Sequence, residues 1–129
     1  MKKLIILIIT IYCCNTHGQN NVSPTIQASI VSTWINEDDP NWKIVFASNG
    51  ICSWYYTNQL TDTFNYSISI SSPQCGYNVK INTGEDYYLR LVDQADSSRL
   101  CYEILGVDEE SLSLSVIGEI NKYHYFLKQ

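Results

Sequence analysis

The chain has 129 residues, 45% of them hydrophobic, with thirteen acidic residues against eight basic ones and a formal charge of −5. That length makes one domain around one modest core. The acidic balance disfavours nucleic acid and anionic lipid as partners, since both carry the same sign of charge.

The first eighteen residues read as an export signal. Met1-Lys2-Lys3 is a short basic start, residues 4–12 are apolar except for Thr10, and Thr16 and Gly18 are the small residues a signal peptidase prefers. The apolar run is too short for a lasting membrane anchor. The rival processing is a lipoprotein acylated at Cys13 or Cys14, but Tyr12 and Cys13 stand where that signal needs a small residue. Cleavage after Gly18 leaves six basic residues against thirteen acidic ones, a formal charge of −7 and no transmembrane segment, and predicts a periplasmic or secreted protein.

Residues 19–27, "QNNVSPTIQ", are polar and predict a flexible leader. A domain over 28–129 follows, built from short strand-like runs. The first is "ASIVSTWIN" (28–36), broken by "EDDPN". "WKIVFAS" (42–48) and "ICSWYYTN" (51–58) follow, and Asn49-Gly50 between them predicts a type I′ hairpin turn. In "TFNYSISI" (63–70), Phe64, Tyr66, Ile68 and Ile70 alternate with polar residues and share a face. "SSPQCG" turns the chain into a short strand, "YNVKI" (77–81).

Next comes "DYYLRLVD" (86–93), with Tyr87, Leu89 and Leu91 on one side, and then "RLCYEILGV" (99–107), with Leu100, Tyr102 and Ile104 together. "SLSLSV" (111–116) alternates serine with Leu112, Leu114 and Val116. "KYHYFLK" (122–128) places Tyr123, Tyr125 and Leu127 opposite His124 and Phe126, with His124 toward solvent. Eight to nine strands at even spacing, mostly apolar on one side and joined by short connections, predict an all-β, antiparallel up-and-down barrel or a sandwich.

These pieces together ("STW", "IVFASNG", "CSWYY", "SPQCGY", "YLRLVD", "LCYEILGV", "LSLSV" and "YFLKQ") resemble the small lipocalin-like domain proteins exported by Bacteroidetes-type bacteria, over most of residues 28–129. The resemblance implies a lipocalin-like barrel whose closed end is plugged by Trp34. Ser32 stands where the lipocalin signature has glycine. Neither the helix after a typical lipocalin barrel nor the helical lid of fatty-acid-binding proteins has a counterpart, so the implied shape is a stripped-down barrel.

Trp54, Tyr56, Phe64, Tyr66, Tyr102 and Tyr125 are the candidate barrel lining. They would either surround a small hydrophobic ligand or fill the barrel themselves, because an eight-stranded barrel has room for side chains or one small ligand. Three cysteines survive cleavage. Cys75 in a turn and Cys101 at a strand start are the expected disulfide, and Cys52 the buried free thiol. Asp38, Asp39 and Asn41 carry oxygen ligands but no calcium-loop spacing, and read as a solvated turn. One histidine, His124, follows the leader, and no nucleophile motif, metal site or cofactor motif accompanies it. The expected function is a non-catalytic binding module. The alternative is an envelope interaction protein with a filled barrel, inhibitor-like or immunity-like, that meets a protein through its rim loops.

Overall fold

The computed structural model describes residues 24–70, 75–76 and 86–129. It is all-β, a closed eight-stranded antiparallel barrel in strict up-and-down order. A seven-residue helix, α1 (Pro24–Ile30), precedes it. The strands are β1 (Thr33–Asn36), β2 (Trp42–Phe46), β3 (Ile51–Tyr56), β4 (Gln59–Ser69), β5 (Tyr87–Asp93), β6 (Arg99–Val107), β7 (Ser111–Val116) and β8 (Tyr123–Lys128). The expected strand at 77–81 lies outside the described residues.

Alternation sets the barrel's two faces. Ile44 and Phe46 of β2, Phe64 and Tyr66 of β4, Leu89 and Leu91 of β5, and Leu112 and Leu114 of β7 are all buried in one core. Their strand neighbours face outward. This agrees with the faces expected for β4, β5 and β7. Burial of such side chains is worth about 1.5–3 kcal/mol each, which makes this face the main source of stability.

The chain's entry differs from expectation. Residues 24–27 begin a helix rather than end a flexible leader, and 28–30 complete it rather than start a strand. Pro24 supplies the fixed φ favoured at a first helical position. Ile26 and Ile30 lie four residues apart, one above the other, and both pack on the core. α1 lies at the end where β1 begins, together with the 47–50 and 108–110 loops. Loops 37–41, 57–58, 94–98 and 117–122 form the other end, the rim.

The turns also correct one expectation. At Asn49-Gly50 only Gly50 has positive φ (85°). The Gly50 N–H donates to the Ala47 carbonyl (3.4 Å), the Ala47 N–H donates to the Ile51 carbonyl (2.9 Å), and Asn49 Oδ1 accepts from the Ile51 N–H (3.1 Å). That is the longer hairpin loop closed by a left-handed glycine, not a two-residue type I′ turn. The pair with positive φ at both central positions is Thr57 (49°) and Asn58 (64°), between the paired Tyr56 and Gln59.

Trp34 is fully buried on β1. Its indole Nε1 donates to the Ile30 carbonyl (2.8 Å), so the residue that fills the core also fastens α1 to it. The Lys128 ammonium lies 5.9 Å from its ring centroid. Trp34→Ala should cost about 3 to 5 kcal/mol in urea unfolding. A loss under about 1 kcal/mol, the range of a surface site, would contradict this placement.

Candidate functional site

The barrel interior is where a ligand would sit, and aromatic side chains occupy it. Toward the rim, Trp42 packs edge-on against Trp54 (ring centroids 5.4 Å), His124 (5.0 Å) and Phe126 (5.1 Å), and Trp54 tilts against Phe64 (4.8 Å). Deeper in, Phe46 meets Tyr66 edge-on at 5.1 Å. Edge-to-face contacts at these distances are the favourable geometry of aromatic quadrupoles. Between Trp42, Trp54, Leu89, Leu114 and Phe126 no volume remains that a water molecule could occupy.

Four of the six expected lining residues share this interior. Phe64, Tyr66 and Tyr102 are buried, and Trp54 is half-buried below the rim. The other two do not. Tyr125 is 44% exposed, because β8 takes its phase from β7: Leu112 and Leu114 pair with Phe126 and His124, and paired residues share a face. His124 is thus turned toward Trp42 and Tyr102 rather than solvent. Tyr56 is 48% exposed because β3 carries it beyond the rim, past an irregularity between Trp54 and Tyr55. Leu100, expected to share a face with Tyr102, lies exposed at the start of β6.

The buried polar groups are few. The Tyr66 hydroxyl donates to the Ala47 carbonyl (2.7 Å). Trp54 Nε1 is buried without an aligned hydrogen bond, beside the Cys52 sulfur. Burial pushes the Cys52 thiol up to about 12, against a smaller opposing pull from that indole N–H, so it is a small hydrophobe and not a nucleophile. Cys75 and Cys101 are disulfide-bonded, with Cα atoms 6.3 Å apart, and Cys52 is free. In the chain-entropy account, closing that loop is worth about 3.5 kcal/mol.

The acidic turns are occupied with their own backbone. Asn36 Oδ1 accepts from the N–H groups of Asp38 (3.0 Å) and Asp39 (2.9 Å), and Asp39 Oδ1 from that of Asn41 (3.1 Å). Asp108 Oδ1 accepts from Glu110 (2.8 Å) and Ser111 (2.7 Å). Among the described residues the ion pair formed is Lys122–Glu119 (2.8 Å).

The rim differs from the interior. Ile120 is 93% exposed and Leu60 57% exposed, and Tyr56, Leu100 and Tyr123 are exposed at the same end. Glu37, Asp38, Asp39, Asp62, Asp93, Asp96 and Glu119 lie among them. Beside β4 a groove of about 390 Å³ runs between Leu60–Thr63 and Asp93–Ala95. No family model, curated protein or solved structure matches the chain.

His124 gives the site a pH signature. Burial lowers its pKa, with Lys122 adding to the effect and Glu119 and Asp38 opposing it. The folded state therefore prefers the neutral ring. Stability should be full above the ordinary histidine pKa of about 6.5, and should fall as the pH drops through that value and the unfolded chain takes the proton. Asp96 and Asp108, held below their ordinary value by hydrogen bonds, contribute in a separate window below about pH 4. Urea midpoints at pH 7 and pH 5 should differ for the unaltered protein and differ less for His124→Phe. Equal differences would place His124 in solvent.

Proposed function

We propose that this protein is an exported, non-catalytic interaction module: a lipocalin-like barrel that is filled by its own side chains and meets a protein partner through its rim. The observation that carries this reading is the filled interior. A barrel that leaves no space for water has nothing to offer a carried molecule unless Trp42 or Trp54 swings out. Of the eight large apolar or tyrosine side chains exposed among the described residues, Tyr56, Leu60, Leu100, Ile120 and Tyr123 stand at the rim among carboxylates. Exposed apolar groups ringed by polar ones are the usual mark of a protein-binding surface. An inhibitor-like or immunity-like role in the envelope fits such a surface.

Export belongs to the same reading. Residues 1–18 would direct it, with cleavage after Gly18 favoured over acylation at Cys13 or Cys14. The Cys75–Cys101 bond is compatible with an oxidising compartment, and no helix among the described residues is long and apolar enough to cross a membrane. The carrier reading, with a small hydrophobic molecule in the barrel, draws support from the aromatic lining at Trp54, Phe64 and Tyr102.

Native mass spectrometry of the protein, purified gently from its host, separates the two. The interaction reading expects either the bare mass or a protein complex that Ile120→Ser weakens. A reproducible small-molecule adduct, lost on denaturation, would overturn it in favour of a carrier.

A further inference from the structure

β4 is eleven residues long, and its two sides are not equally covered. On one side β3 pairs with it from Gln59 to Asn65. On the other, β5 pairs only from Phe64 to Ser69, and the last backbone contact beyond is the Gln94 N–H donating to the Thr63 carbonyl (2.9 Å). Thr61 is the extra residue where the β3–β4 register shifts, and its hydroxyl donates to the Trp54 carbonyl (3.3 Å). Tyr56 and Gln59 close the hairpin, so the next pair, Tyr55 and Leu60, is the non-hydrogen-bonded kind. The Leu60 N–H and C=O therefore point away from β3, toward the groove between Leu60–Thr63 and Asp93–Ala95. This is a short stretch of strand edge that closure of the barrel leaves open.

We infer that this edge of β4 takes an extended, basic polypeptide segment, which adds as a strand beside Leu60 with cationic side chains toward Asp62 and Asp93. The inference deepens the rim-binding reading and rests on it. An outward N–H and C=O on one residue is matched most directly by another backbone, which is how strand addition works. The Leu60 side chain, 57% exposed, offers an apolar contact at the same point. Charge selects the occupant. Asp62 and Asp93 line the groove, and Asp96 follows in the adjoining turn. A second copy of this acidic chain would bring like charge to the edge, so the carboxylates keep copies apart while attracting a basic segment. Asp93 Oδ1 accepts from the Ala95 N–H (2.6 Å), which holds the far wall of the groove in shape.

The test uses the full exported chain and an end-blocked heptapeptide of alternating lysine and valine. Two control peptides accompany it, one N-methylated on the amides of a single strand edge and one with glutamate in place of lysine. Binding should slow exchange of the Leu60 amide proton. N-methylation should weaken affinity about threefold to tenfold for each hydrogen bond lost. Asp62→Asn and Asp93→Asn should each weaken it by up to about fivefold, the range of exposed charge pairs, whereas Asp108→Asn at the opposite end should leave it unchanged. Asparagine keeps the acceptor that Ala95 uses, so loss of the turn does not confuse the result. Equal affinity for the N-methylated peptide, equal affinity for the glutamate peptide, or no binding of the lysine peptide would each overturn the inference. If the lysine peptide fails while a native protein complex remains sensitive to Ile120→Ser, the rim reading stands and the strand-addition site falls. A small-molecule adduct in its place removes the rim reading itself.

Discussion

β1 is four residues long and must hydrogen-bond on both sides. It pairs with β2 through Thr33, Ile35 and Trp34, and with β8 through Trp34, Ile35 and Asn36. The second pairing joins Trp34 to Lys128, near the two ends of the domain, so it closes the longest loop of the fold and bears the largest single closure cost. Four residues of ladder are a small return on that cost. The extra stabilisation comes from Trp34, which is fully buried and hydrogen-bonded to Ile30, and from Asn36, which is buried and holds the following turn through two N–H groups. Closure at β1 is what turns an open meander into a barrel with an inside.

Once closed, eight strands fix how much space there is. Here large side chains leave no water-sized space between Trp42, Trp54, Leu89, Leu114 and Phe126. α1, Trp34, Phe46 and Tyr66 fill the end where β1 begins, and Trp42, Trp54, Phe64, His124 and Phe126 fill the rim half. Many of these side chains meet edge to face, so moving one disturbs its neighbours. A packed interior of this kind gives a stiff scaffold, and it leaves the loops and a stretch of β4 edge as the accessible backbone at the rim.

Much of this was legible in the residues. Alternation in 63–70, 86–93 and 111–116 marks the inward faces of β4, β5 and β7, because Asn65, Ser67, Ser69, Arg90, Ser113 and Ser115 interrupt the apolar residues at every second position there. β8 was misread because both of its faces are aromatic, so the local pattern could not choose a phase. The choice comes from pairing with Leu112 and Leu114 across the sheet, which a single strand does not display. α1 was missed because seven residues are too few for a helical period to emerge, and its stability comes from Ile26 and Ile30 packing on the barrel. Trp42 belongs to the lining although it is not among the six candidates: "WKIVF" alternates plainly and puts Trp42, Ile44 and Phe46 on one face. The Cys75–Cys101 bond was inferable from the turn and strand positions of the two cysteines. Whether the aromatic set encloses a space or fills it was not, because that depends on how closely the rings approach one another.

That last point is open to direct measurement. Methyl NMR of Leu89, Leu91 and Leu114 under increasing xenon pressure reports on apolar space inside the barrel, since dry apolar cavities take up xenon. A filled barrel predicts small shifts that grow linearly with pressure and do not saturate. Saturable shifts at these three leucines would reveal a cavity and return the protein to the ligand carriers.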